Sequence, residues 1–430
     1  MTKLARLLIR IFFRRVELEG GERLPRSGPV VLVANHTNGL IDGLLLMATL
    51  RRYPRFLGKS TLFKIPPLWP FLKLAGVIPV YRAMDAVAGD HNVSAFATSH
   101  ALLQHGGMVA VFPEGISHDE LTLQPLKTGA ARIALEAGND AGESALVTVA
   151  VGLVYDAKAR FRSRALVWVA EPVGIERWTE DYRSDERATV SAVTENLAVQ
   201  LDQVNPTYSS WAQAEQLARI AAVVVRTPGE QVPPDVGLAD QVDVAASLAA
   251  MQRGSSASLL NLLEASATYE RDLSLLGVTD AQLAVGYPSG RLRISILWSA
   301  LKVVIAFPFA VAGVAVHIVP FQIMKQLAKI PSNEGIKATV KLLGCFVTFV
   351  VTYAVVGVVV GRTFGPWAGF AAAIGAPICG YAAVRLMERV KRIGGLIEGY
   401  LTVKESGDVV ESVLAHRATV VADACAVLRS

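Results

Sequence analysis

Residues 342–361 and 363–384 are two uncharged apolar stretches separated only by Arg362. Each is about long enough to cross a bilayer as a helix. Lipid around such a segment forces its backbone polar groups to be satisfied internally, so these residues are predicted to be helical. A third apolar stretch, 303–324, contains Pro308, His317 and Pro320 and is basic on both flanks. Arg291, Arg293 and Lys302 precede it; Lys325, Lys329, Lys337 and Lys341 follow. Beyond residue 384 come Arg385, Arg389, Lys391 and Arg392. Cations favour the cytoplasmic side, so the 325–341 loop and the tail are predicted to share it, with 342–384 as a hairpin. The 303–324 stretch then fails to cross or re-enters; if it crosses, the two halves of the chain lie on opposite sides. A helical hairpin buried inside a soluble domain is the other reading of 342–384.

The remaining composition agrees with a partly lipid-embedded chain. Of 430 residues, 52% are apolar and 18% charged, and the formal charge is +5. That balance suits an anionic surface or substrate better than an acidic partner. Nucleic acid is not a predicted partner, because no basic stripe interleaves with aromatics. Cys345, Cys379 and Cys425 lie late and far apart, which suggests neither a disulfide framework nor a zinc site.

The first residues, "MTKLARLLIRIFFRRVELEG", are interrupted by Lys3, Arg6, Arg10, Arg14 and Arg15 and do not read as a secretory signal. Leu4, Leu7, Leu8, Ile11 and Phe12 fall at helical spacing, so residues 1–20 are expected to form an amphipathic basic helix. Such a helix either lies in a membrane interface or packs on its own domain.

Between Pro29 and Pro172, β-rich runs alternate with helical patterns. Strands are predicted at 29–34, 55–58, 77–81, 108–112, 146–155 and 165–170, with helices at 40–51, 61–75, 91–104 and 128–138. The alternation points to an α/β layer with a mainly parallel sheet flanked by helices. Residues 185–226 read as helical, and "TPGEQVPPDVG" at 227–237 as a linker or exposed loop. The expected organisation is 1–20 interface helix, 21–180 α/β domain, 181–290 helical extension, 291–395 membrane-embedded helices and 396–430 helical tail.

In "VANHTNGLIDG", at 33–43, His36 leaves an apolar run and Asp42 follows with five residues between them. On one helix they would face different ways. To meet, His36 must sit in the loop after a strand and Asp42 in the first turn of the next helix, with Asn38-Gly39 as the bend. An imidazole held there by a carboxylate can take a proton from an alcohol. Read alone, the same residues also make a plain polar turn. Pro113-Glu114-Gly115 supplies another strand-end turn, and Arg82, Lys127 and Arg132 are cations that could gather near His36. Guanidinium forks and a helix N-terminus suit phosphate.

Four blocks in order, "NHTNGLID", "GKSTLFKIPPLWPFLKLAGVIPVYR", "FPEGISHDELTLQPLKTGAARIAL" and "VTVAVGLVY", resemble the phospholipid/glycerol acyltransferase family. They cover roughly residues 30–172. The resemblance implies that His36 is the general base and Asp42 orients it. It also implies that Arg82, Glu114 and Gly115 belong to the acceptor-binding surface and that Lys127 contacts phosphate. The implied reaction passes an acyl group from acyl-CoA or acyl carrier protein to the hydroxyl of a glycerol phosphate-type acceptor, without a covalent enzyme intermediate. Backbone N–H groups near 39–43 would steady the oxyanion. Membrane lipids are implied partners; no metal or cofactor is.

This chain departs from the common pattern twice. It has five rather than four residues between His and Asp, and Val149-Ala150 where the family's fourth block usually carries a proline. The longer spacing is similar to the branch that acylates glycerol 3-phosphate or dihydroxyacetone phosphate at the first position. Acylation of lysophosphatidate is the alternative, and an inactive membrane-anchored lipid-binding protein the remote one. "GISHD" lacks the closing glycine of a hydrolase elbow. "GKST" at 58–61 lacks the first glycine of a P-loop, its place being taken by Tyr53. The pair His100/His105 and the run His118-Asp119-Glu120 show no zinc arrangement and read as solvated or packed.

Overall fold

The computed structural model describes residues 2–65, 68–81, 88–139, 146–226, 228, 236–252, 257–285, 289–327, 329 and 334–429. They fall into two compact units, Met1–Thr207 with Leu327–Gly344, and Tyr208–Gln326 with Cys345–Ser430.

The first unit runs α1 (Thr2–Phe12), β1 (Phe13–Glu19), β2 (Val30–Ala34), α2 (Leu40–Thr49), β3 (Arg55–Lys59), α3 (Trp69–Leu74), β4 (Ile78–Val80) and α4 (Ala88–Gln104). It continues with β5 (Met108–Val111), α5 (Gly129–Asn139), β6 (Val147–Tyr155), β7 (Ser163–Val169), β8 (Val173–Gly174), α6 (Thr179–Ser184) and α7 (Glu186–Val204). The strands form one eight-stranded sheet in the order β1-β7-β6-β2-β5-β3-β4, with β8 beside β6. All pairings are parallel except β6 with β7 and β6 with β8. This is the mainly parallel α/β layer that the alternation predicted.

The centre of the sheet explains its own sequence. Every residue of "VVLVA" in β2 is buried, because helices cover both faces. Val30, Leu32 and Ala34 point into a core with α1 and α2, while Val31 and Val33 point into another with α5 and α7. Strand β5 divides in the same way, Met108 and Ala110 against Val109 and Val111. Their parallel register, Val33 opposite Val111 and Ala34 opposite Val151, brings the C-terminal ends of β2, β5 and β6 to one edge. Crevices at that edge are where open α/β sheets bind ligands.

The helix expected over residues 1–20 stops at Phe12, and residues 13–19 are an edge strand paired with β7. The charged sequence "FRRVELE" reads as one more amphipathic helical stretch, and only its distant partner reveals it as a strand. Ala5, Ile9 and Phe12 of α1 are buried in the α2 core, whereas Leu7 and Ile11 are exposed. Strands β1 and β8 are additional to the predicted strands.

The second unit contains α8 (Trp211–Val225), α9 (Leu238–Gln252), α10 (Ala257–Leu276), α11 (Asp280–Leu283), α12 (Ser289–Leu327), α14 (Pro366–Glu405) and α15 (Gly407–Arg429), while α13 (Glu334–Phe364) spans both units. Leu217, Leu248, Leu262, Tyr269, Val413 and Val420 share its core. Within this unit Asp280 accepts from Arg417 Nε at 2.8 Å and Tyr269 Oη at 2.7 Å, and also pairs with Arg226.

Among the described residues three helical segments are long and apolar enough to cross a membrane: Ile296–Leu327, Gly344–Phe364 and Pro366–Glu405. The 303–324 stretch, for which failing to cross, re-entry and crossing were all open, lies within one continuous helix, α12. Pro308 and Pro320 lie inside one unbroken helix. A long apolar helix tolerates proline where its neighbours re-satisfy the freed carbonyls.

Candidate active site

The site is built on the end of β2. Beyond Ala34, Asn35 continues the ladder with its side chain: Leu153 N–H donates to Oδ1 at 2.7 Å, and Nδ2 donates to Leu153 O at 3.1 Å. The next residue is thereby presented at the sheet edge. His36 N–H donates to Glu114 Oε1 at 2.7 Å, and His36 O accepts from His118 N at 3.2 Å. The imidazole lies flat on Phe112, ring centres 4.2 Å apart and 17° between planes.

Asp42, fully buried in the first turn of α2, meets that ring: Nδ1 and Oδ2 are 2.9 Å apart. Oδ2 also accepts from Asn38 N–H at 2.8 Å, and Oδ1 from the Tyr155 hydroxyl at 2.5 Å. With acceptor oxygens of Asp42 facing Nδ1, the His36 tautomer is assigned with its proton on Nδ1 and the lone pair on Nε2. The bend between the two residues needs Gly39, whose φ of +57° and ψ of −129° are strained for any side chain. The side chain of His36 retains 20% exposure. Its Nε2 has no protein hydrogen-bond partner among the described residues. An imidazole held in this way can accept a proton from a hydroxyl presented to Nε2.

Glu114 stands behind His36. Besides Oε1, its Oε2 accepts from Gln124 N at 3.0 Å and contacts His118 Nε2. Glu120 N–H donates to His118 Nδ1 at 3.2 Å, which puts that imidazole's proton on Nε2, facing Glu114. Gly115, at φ +71°, carries Lys127 over it; a Cβ there would lie 2.8 Å from Lys127 Nζ. Lys127 N also donates to Pro113 O at 2.8 Å, and its side chain is exposed. Lys158 ties the surrounding loops, donating to Thr37 O at 3.0 Å and His118 O at 3.3 Å and pairing with Asp119 at 2.5 Å.

The structure thus brings together His36, Asp42 and Glu114, with Gly115 in the adjoining turn and Lys127 packed against it. Arg132 is exposed and turned toward Glu186, 3.5 Å away. Arg82 lies outside the described residues. Three of the N–H groups near 39–43 expected to steady an oxyanion already have partners: Gly39 N donates to Ser117 Oγ at 3.1 Å, Ile41 N to Asn38 O at 3.2 Å and Asp42 N to Gly39 O at 3.3 Å. Sequence reasoning missed Tyr155, Phe112 and Lys158, which approach from neighbouring strands and loops. Among the described residues no group of three His, Cys, Asp or Glu side chains could hold a metal ion.

Residues 15–152 match the profile of the Acyltransferase family. An uncharacterized acyltransferase of Schizosaccharomyces pombe is 26% identical over 270 residues, covering 42% of this chain and 40% of the relative. The glycerol-3-phosphate O-acyltransferase 2 of Saccharomyces cerevisiae is 32% identical over 142 residues, covering 32% of this chain and 19% of the relative. The chain therefore spans well under half the length of these two relatives. A crystal structure of the 1-acyl-sn-glycerophosphate acyltransferase PlsC of Thermotoga maritima aligns with 49% of this chain and 81% of that one, at 21% identity and a TM-score of 0.35.

Proposed function

We propose, from the premise that residues 15–152 are a domain of the acyltransferase family, that this protein moves a fatty acyl group from a thioester to a glycerol phosphate hydroxyl. The observation that carries the reading is the His36–Asp42 pair, buried on its Asp42 side and open at His36 Nε2. Nε2 takes the proton of the acceptor hydroxyl as its oxygen attacks the thioester carbonyl. The C–S bond then breaks, and the proton passes from the imidazolium to the departing thiolate. Asp42 steadies the imidazolium while it exists. Lys127 is proposed to hold the acceptor's phosphate, helped by Arg82 and Arg132, and positioning supplies much of the acceleration. The acceptor is proposed to be glycerol 3-phosphate or dihydroxyacetone phosphate, as the relative from Saccharomyces cerevisiae and the five-residue His–Asp spacing suggest.

The enzyme is proposed to work in the membrane with its catalytic unit on the cytoplasmic face. The basic residues around Lys325–Lys341 support that side. So does Lys341 itself, which donates to Ala159 O at 2.7 Å within the unit that carries the site. The test is acyl transfer by membranes containing the protein, with labelled palmitoyl-CoA or acyl carrier protein as donor. Glycerol 3-phosphate, dihydroxyacetone phosphate and lysophosphatidate are offered in parallel. Transfer to one of the first two that vanishes in His36→Ala is the expected result. Transfer to lysophosphatidate alone would move the reading to the second acylation, and none with any pair would overturn it.

A further inference from the structure

We propose that Tyr155 is a positioning residue of the His36–Asp42 pair, donating its hydroxyl to Asp42 Oδ1 and so fixing the carboxylate that orients the base. The inference rests on the reading of His36 as a general base.

Asp42 is a buried carboxylate with two jobs for its two oxygens. Oδ2 receives the Asn38 amide and His36 Nδ1. Oδ1 faces Tyr155, and that bond sets the plane in which Oδ2 meets the imidazole. Without it the buried oxygen would lose its donor, which is costly for a charge removed from water. Tyr155 is well placed to hold its position. It ends β6, the strand next to β2, and its ring stacks on Phe13 with centres 5.7 Å apart and 26° between planes. The following residue, Asp156, is clamped by Arg164, whose backbone N and Nε donate to it at 2.8 and 3.0 Å.

Burial and the Asp42 charge push the Tyr155 phenol well above its ordinary range, so it stays a donor at any working pH. The groups facing the pair are few. Tyr155 comes from β6 and Asn38 from the loop. Glu114 acts through the His36 N–H and Lys158 through the Thr37 carbonyl, while Phe112 covers the ring face. The tyrosine hydroxyl draws electron density from Asp42. Its loss leaves more negative charge on the carboxylate facing His36 Nδ1, which favours the protonated imidazole.

Tyr155→Phe removes the hydroxyl and keeps the stacked ring. In the full chain in micelles, the reaction of His36 with diethyl pyrocarbonate, read on the His36 peptide by mass spectrometry between about pH 5 and 8, reports its protonation without requiring activity. The reactivity midpoint is expected to move to higher pH. Turnover in the acyl-transfer assay is expected to fall about tenfold, the size of a hydrogen bond to a buried charge, with KM for the acceptor little changed. In the Asp42→Asn background the same substitution is expected to add no further loss. Should Tyr155→Phe fold poorly, 3-fluorotyrosine at position 155 keeps the ring and strengthens the donor, and the midpoint is expected to move to lower pH. An unmoved midpoint in the folded variant, or an equal loss with and without the Asp42 carboxylate, would overturn the proposal. Absence of transfer by the wild type would sink the functional reading instead and leave the His36 midpoint as the test of this one.

Discussion

Glu114 is 3% exposed, and both of its oxygens accept hydrogen bonds from inside the protein, one of them from the backbone of His36. The family resemblance implies a place on the acceptor surface, and the geometry shows a brace for the loop that carries His36. The two roles separate in Glu114→Gln. A glutamine must set an NH2 against one of the N–H donors, leaving a buried pair unsatisfied, at a cost of about 1–3 kcal/mol. The expected outcome is a lower thermal midpoint and slower turnover with KM for the phosphorylated acceptor nearly unchanged. A raised KM at full stability would instead mark a ligand contact. The same neighbourhood shows what could be read in advance. His36, Asp42 and Gly115 sit in short local patterns, where the turn residues and the His–Asp spacing are visible in the sequence. Tyr155 and Phe112 reach the imidazole or its carboxylate through strand neighbours, and no local spacing encodes that meeting.

Among the elements, the apolar helices carry a polar contact of their own. His317 donates Nδ1–H to Gly313 O at 2.7 Å, so its Nε2 accepts the Tyr353 hydroxyl at 2.8 Å, joining α12 to α13. The ring fits because residue 380 of α14 is glycine: a Cβ there would lie 2.5 Å from it. Small residues at a helix crossing and a side-chain hydrogen bond are the usual means of holding apolar helices together. Gly380→Leu is expected to push the ring from Tyr353 and to lower the thermal midpoint in micelles, at a cost of about 1–2 kcal/mol for the bond alone. His317→Phe in the Gly380→Leu background is then expected to cost little more. A full additional loss would show that the histidine bond survives the leucine. The lengths of 342–361 and 363–384 announced helices outright. For the third stretch the basic flanks left crossing open, and that its prolines stay inside one helix depends on neighbours distant in sequence. For α1 and β1 the boundary at Phe12 was hidden for a similar reason, since charged "FRRVELE" becomes a strand only beside β7.

At the scale of the whole molecule the chain is interleaved, with residues 327–344 returning to the unit of the sheet between two stretches of the other. A left-to-right reading divides a chain into consecutive segments and cannot express that return, although the α/β character of the first part was legible from alternation alone. Both units share one chemical dependence: each keeps tyrosines that must remain neutral. Burial pushes Tyr208 from its ordinary 10.0 up to about 12. Burial and a neighbouring carboxylate raise Tyr155 and Tyr269 as well, through Asp42 and Asp280. Below about pH 10 folded and unfolded chains both hold these protons, and stability is insensitive to them. Above it the unfolded chain releases them first and binds fewer, so stability falls as pH rises, through about 12 for Tyr208. The thermal midpoint of the full chain in micelles is therefore expected to hold level between about pH 8 and 10 and to drop on going to about pH 11 and above. Tyr208→Phe and Tyr269→Phe, compared with wild type across that range, are each expected to shallow the drop. A slope unchanged by both substitutions would mean that other groups, lysines first among them, govern the alkaline limit.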